Sequence, residues 1–98
     1  MEITFESIVG KTIIVGITYI DKEENIIKTS QYVGKIIEAD ENQGIVIEEK
    51  NSKEILAIPP QLSAIEIAKP GEYKLKSTGE IVVDPDLLST WICDYDVV

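Results

Sequence analysis

Tyr32-Val33-Gly34-Lys35-Ile36-Ile37-Glu38-Ala39-Asp40-Glu41-Asn42-Gln43-Gly44-Ile45-Val46-Ile47 is the stretch that decides the fold. Two β-branched, apolar runs flank a polar tetrad, residues 40–43, which ends at Gly44. Such a tetrad between two strand-like runs signals a β-hairpin, with the glycine free to take the positive φ that a tight turn often needs. Gly34 lies inside the first run, and a missing Cβ there predicts a bulge or a sharp bend. A bent strand, a short turn and a second strand is how a small barrel folds its sheet back on itself.

On the N-terminal side, residues 11–20 read as a strand. Ile13, Val15, Ile17 and Tyr19 form an apolar row, and Thr12, Ile14, Gly16, Thr18 and Ile20 form a mixed one. Before it, residues 4–9 suit a short helical turn, with Thr4 as N-cap and Phe5, Ile8 and Val9 on one side. Residues 21–25 are a charged turn. Ile26 and Ile27 extend an edge beyond it, so this connection reads as a long, protruding hairpin. On the C-terminal side, Asn51-Ser52 turns the chain into a short strand, residues 54–58, with Ile55 and Ala57 on one side. Pro59-Pro60 then stops any ladder, because neither residue donates a backbone hydrogen bond. Residues 61–64 have room for one 3₁₀ turn, and Ile65-Glu66-Ile67 is a closing strand.

Five strands with a 3₁₀-like turn before the fifth is the order shared by SH3-like and Sm-like barrels. The expected fold is therefore mainly β, a small five-stranded barrel over residues 10–68. Past Pro70-Gly71, residues 73–76 and 81–83 make a hairpin around Ser77-Thr78-Gly79. Residues 84–86 turn, residues 87–90 suit a helical turn, and residues 91–98 form a last strand with the row Trp91, Cys93, Tyr95 and Val97. This β extension, residues 71–98, is expected to pack on the barrel, which gives one domain over residues 1–98. The predicted core is Ile13, Val15, Ile17, Ile36, Ile45, Ile47, Ile55, Ile65 and Trp91.

Composition agrees with that fold class. Isoleucine and valine supply 26 of the 98 residues, against four alanines and five leucines. β-Branched side chains lose rotamer freedom on helices and pack well on pleated sheets. The single cysteine, Cys93, excludes an intrachain disulfide and fits a reducing compartment. The first residues are acidic and lack a basic segment, unlike a secretory signal, and the longest apolar runs are too short for a bilayer, so a cytoplasmic location is expected.

The hairpin stretch resembles the first motif of the Sm-like family: aromatic, one residue, glycine, one residue, aliphatic, three residues, aspartate, three residues, asparagine, then an aliphatic strand. Tyr32, Gly34, Ile36 and Asp40 fall in register, and Ile45, Val46 and Ile47 supply the strand. The family's RNA-contacting asparagine falls on Gly44 and its base-stacking residue on Asn42. Its second motif, built on an arginine-glycine pair, has no counterpart near residues 65–70. The resemblance implies the part of the motif that builds a barrel, without the part that binds uridine. The chain also looks like a group of small, uncharacterised bacterial proteins through residues 10–19 and 70–80. That likeness implies that the extension belongs to the fold and implies no activity.

Chemistry is sparse. The chain has no histidine, which removes the commonest general base and the usual zinc and iron ligand. Cys93 has no cationic neighbour in sequence and sits in an apolar row, so a buried thiol is expected. Asp84 and Asp86, like Asp94 and Asp96, are spaced as oxygen ligands can be, but lack an EF-hand's glycine and terminal glutamate. Gly10-Lys11-Thr12 echoes a phosphate loop without its upstream glycine, since position 5 is Phe5. Lys74 and Lys76 alternate on the wet side of a strand. No catalytic pair, metal or cofactor is expected.

The net charge of −9, with nine lysines and no arginine, opposes binding to nucleic acid and to anionic membranes. These features give the expected function: a small acidic protein-interaction module, monomeric or homo-oligomeric, with a protein as partner. Glu38, Asp40, Glu41, Glu48 and Glu49 crowd the central hairpin and are its candidate partner-binding residues. The alternative is an immunity- or antitoxin-type inhibitor whose carboxylates enter a toxin's basic site. An Sm-like nucleic-acid binder is the third reading.

Overall fold

The computed structural model of the protein describes residues 2–95, and most of its strands fall where β-branched residues recur. One helical turn, α1 (Phe5–Ile8), comes first. Thr4 caps it reciprocally: its Oγ1 accepts from Ser7 N at 3.0 Å, and its N donates to Ser7 Oγ at 2.9 Å. This brings Ile8 into the core, fully buried. The strands are β1 (Thr12–Ile20), β2 (Ile26–Asp40), β3 (Gly44–Glu49), β4 (Ile55–Ile58), β5 (Ile65–Ile67), β6 (Glu72–Lys74), β7 (Ile81–Val83) and β8 (Leu87–Asp94). A 3₁₀ turn, Leu62–Ala64, precedes β5. Among the described residues, no helix is long and apolar enough to cross a membrane.

Six strands form one mixed sheet in the order β4-β3-β2-β1-β8-β5, and β6 and β7 pair separately. β8 runs parallel to β1, from Ile13 opposite Leu87 to Ile20 opposite Asp94, and antiparallel to β5. The sheet is not closed into a barrel. A five-stranded barrel needs β5 beside β1, and β8 occupies that place, leaving β4 and β5 at the two edges.

The alternation along each strand sorts side chains onto two faces. The inner face gathers Ile13, Val15 and Ile17 of β1 with Ile36, Ile45, Ile47, Ile58, Ile65 and Leu87, and Ile8 joins them. Each such side chain is worth roughly 1.5–3 kcal/mol when fully withdrawn from water. The outer face carries Ile14 and Val33, which are buried under Leu75 and Val82 of the β6–β7 hairpin. Gln31 fastens that hairpin from β2, its Oε1 accepting from Lys76 N and Ser77 N. Asp86 ties the start of β8 to β1 through Thr12 N, at 2.9 Å.

Seven of the nine predicted core residues are buried. Trp91 is half-buried against the core, and Ile55 is 59% exposed. β4 pairs with β3 so that Ile58 faces Ile45 and Leu56 faces Ile47, which is one residue out of the predicted phase. A slip of one residue moves every side chain to the opposite face. Residues 87–90 are strand and not helix, because they pair with β1 on one side and β5 on the other. The predicted last strand ends in the described residues at Asp94, and residues 96–98 lie outside them.

The bulge predicted at Gly34 falls at Ile37, which the register passes over between Ile36 and Glu38. It turns Ala39 inward, opposite Ile45. Gly34 serves a different need, since a Cβ there would run into the Glu48 carbonyl oxygen and sit 2.7 Å from Ile47 Cγ2. Gly44 has φ +87°, and a Cβ on it would lie 2.6 Å from the Ile58 carbonyl oxygen. Its glycine is required twice over, by the turn and by the approach of β4. Chemical denaturation checks this assignment. Gly34→Ala and Ile36→Ala should each destabilise by about 2–5 kcal/mol, whereas Ile55→Ala should change stability by no more than about 0.5 kcal/mol.

Candidate functional site

The five hairpin carboxylates do not converge. By strand alternation Glu38, Asp40 and Glu48 share the outer face of β2 and β3, Glu41 sits in the connecting turn, and Glu49 lies on the inner face at the far end of β3. Two of them serve as turn caps. Asp40 Oδ1 accepts from Asn42 N at 2.8 Å and from Gln43 N at 2.6 Å. Glu49 Oε2 accepts from Ser52 N at 2.6 Å, Ser52 Oγ at 2.7 Å and Asn51 N at 3.1 Å. Such side-chain mimicry of a turn explains an acidic residue before a polar pair without any ligand. Glu48 stands opposite Lys35 in the ladder, and Glu38 opposite Val46.

Hydrogen bonding to the charged form holds the Glu49 carboxyl below the usual range. The backbone N–H of Ser52 contributes most, then its hydroxyl, with the Asn51 N–H and the nearby Lys53 ammonium adding less and burial opposing. Asp21 is lowered in the same way, chiefly by the Asn25 N–H, in the turn between β1 and β2.

Three other surfaces come from the fold rather than from the acidic hairpin. The first is the uncovered half of the outer face, beyond the β6–β7 hairpin. Thr18 stands between Thr29 and Ile92, Gly16 between Gln31 and Thr90, and Ile20 between Ile26 and Asp94. Ile92 and Ile26 are 71% and 69% exposed. Above Gly16, where a Cβ would meet nothing within 4 Å, lies a groove of about 260 Å³ bordered by Thr18, Thr29, Gln31, Lys76 and Thr90. At its far end Ile20 also borders an acidic cleft of about 360 Å³, with Asp21, Glu24, Asp94, Lys22 and Tyr95.

The second surface is an aromatic cluster on the inner face. Tyr19, Tyr32, Trp91 and Cys93 are half-buried against the core. Tyr95 meets Tyr19 edge-on at 5.9 Å, and the Lys28 ammonium sits 4.9 Å and 5.2 Å from the two ring centres. Burial first, then Tyr32 and Cys93, pushes the Tyr19 phenol up. Trp91 Nε1 donates to Ser89 Oγ, the buried hydroxyl of β8, at 3.1 Å. The third is a cleft of about 480 Å³ between β7 and the outer face of β2 and β3, lined by Lys35, Lys50 and Lys53 among others.

Among the described residues, no three histidine, cysteine or acidic side chains come together to hold a metal ion. No protein-family model matches the chain, and comparison with curated proteins and with solved structures gives no match.

The depressed pKa of Glu49 predicts how stability varies with acid. A carboxyl whose folded pKa is depressed stabilises the fold above its unfolded pKa, and that contribution is lost as pH falls through the folded value. Melting temperature should therefore fall below about pH 4.5, the ordinary range of a glutamate. Glu49→Gln should melt lower than the parent at neutral pH and show a shallower acid decline. An identical acid profile would remove Glu49 from this role.

Proposed function

We propose that the protein is a non-catalytic protein-binding module that docks through the uncovered outer face of β1, β2 and β8. The observation that carries this reading is the exposure of Ile26 and Ile92 on a three-stranded surface otherwise made of Gly16, Thr18, Ile20, Thr29, Gln31 and Thr90. The charged side chains that border these eight are Asp94, beside Ile20, and Lys76, at the edge of the groove, although more than a quarter of the chain is charged. Depletion of charge at the centre with charge at the rim is the anatomy of a docking patch. The rim here is the acidic cleft of Asp21, Glu24 and Asp94, so the partner is a protein with an apolar centre and a basic edge.

The other readings have less support. An inhibitor that plugs a basic active site needs its carboxylates on one projection, and two of the five hairpin acids are committed to turns. For an Sm-like nucleic-acid binder, the position of the family's contacting asparagine is Gly44, which is buried against Ile58. The kinship with SH3-like and Sm-like barrels rests on the order of the first five strands and the 3₁₀ turn. A half-buried lone thiol at Cys93 is in keeping with a reducing, cytoplasmic setting.

Affinity capture from cell extract with the parent chain, Ile26→Asp/Ile92→Asp and Ile55→Asp tests the reading. The expected result is a basic protein retained by the parent and by Ile55→Asp, lost with the double variant, and weakened by Asp94→Asn. All variants should keep the parent's melting temperature closely, because the altered side chains are exposed. An unchanged captured set with Ile26→Asp/Ile92→Asp would overturn it. So would concentration-dependent self-association abolished by the same substitutions, which would make a second copy the occupant.

A further inference from the structure

Three of the nine lysines border one cleft, in a chain whose net charge is −9. Val33 and Val82 lie beneath it, 1% and 5% exposed, and Val83, 64% exposed, supplies most of its apolar wall. Lys35 reaches it from β2, Lys50 and Lys53 from the turn that follows β3, and Glu48 is the one carboxylate in its lining. At about 480 Å³ its volume is that of a small-molecule site.

The turn that carries Lys50 and Lys53 is held there by the fold. Lys50 N donates to Val33 O at 2.9 Å, and the Lys50 ammonium pairs with Glu80 of the β6–β7 hairpin at 3.3 Å. Asn51 Nδ2 donates to the same carboxylate at 3.1 Å, tying the turn to the hairpin across the cleft. Among the described residues that is the only ion pair within 4 Å, so Lys35 and Lys53 have no such partner. Lys53 has φ +62°, a conformation that suits glycine or asparagine far better. The turn itself sets that φ, since Lys53 N donates to Glu49 O at 3.0 Å, and Glu24 takes a φ of +66° in the turn before β2.

We propose that this cleft binds a small organic anion, its apolar body against Val83, with Val82 and Val33 beneath, and its oxyanion head between Lys35 and Lys53. The head is a carboxylate or a phosphate, which share the chemistry that an ammonium pair recognises. This site is separate from the docking face, and neither depends on the other.

Amide chemical-shift mapping with hexanoate, hexyl phosphate, 1-hexanol and hexylammonium tests it, at about 150 mM salt to screen long-range fields. Hexanoate or hexyl phosphate should saturate, with shifts centred on Thr12, Gly34, Lys35, Val82 and Val83, and the tighter of the two identifies the head group. Hexanol should bind about tenfold more weakly, lacking the charge-assisted contacts. Lys53→Gly removes an ammonium while relaxing the backbone, so it should hold or raise the melting temperature and weaken the anion about fivefold. Lys35→Gln should weaken it similarly and Lys35→Arg should not. Equal affinity for hexanol and hexanoate, shifts centred elsewhere, no saturation, or an unaltered affinity in Lys53→Gly would each overturn the proposal.

Discussion

The parallel ladder between β1 and β8 is the constraint on which the rest depends. Leu87 and Ser89 are buried on the core side because β8 lies beside β1, in register with Ile13 and Val15. Once β8 holds that position, β5 is displaced to the far side of it and the sheet has two edges instead of none. A parallel pair needs a long crossover, and here the chain between β1 and β8 supplies β2 to β5 on the way, then the β6–β7 hairpin. The hairpin pairs apart from the main sheet and covers part of its outer face, burying Ile14 and Val33.

That partial cover has consequences for the surface. Where the β6–β7 hairpin lies on β1 and β2, it leaves beside it a cleft with Val83 on its wall and a lysine rim. Where it stops, at Gln31 and Gly16, the outer face of β1, β2 and β8 continues bare to Ile26 and Ile92. Both candidate surfaces are therefore made by tertiary placement of one short hairpin. Three of the eighteen acidic residues have local duties: Asp21, Asp40 and Glu49 each satisfy the backbone of the turn that they precede.

What the sequence made legible was local. The inner row of β1 and the central hairpin follow from alternation and turn chemistry, as does the Thr4 cap of α1, and all three stand where the residues placed them. β4 was misphased because Ile55, Leu56, Ala57 and Ile58 are all apolar, so alternation gives no preference, and only the pairing with β3 selects Leu56 and Ile58. The strand at residues 87–90 looked helical for want of alternation, since Leu87 and Leu88 meet apolar neighbours on both faces. Gly34 announced a missing Cβ, but not whether it served a bulge or a close contact. The lysine cleft was illegible because Lys35, Lys50 and Lys53 are brought to Val82 by a hairpin some thirty residues later. The bare outer face was visible only as the mixed row Thr12, Ile14, Gly16, Thr18 and Ile20, which becomes informative once half of it is seen to be covered.

β8 is a structural member of the sheet rather than an appendage laid against a self-sufficient five-stranded unit. Native-state hydrogen exchange across a denaturant series measures this directly, because it reports which segments open together. The amides of β8 from Leu88 to Ile92 should exchange only through the same global unfolding that exposes Ile13 to Ile17 of β1. Opening of β8 at low denaturant, while β1 and β2 stay protected, would contradict the account.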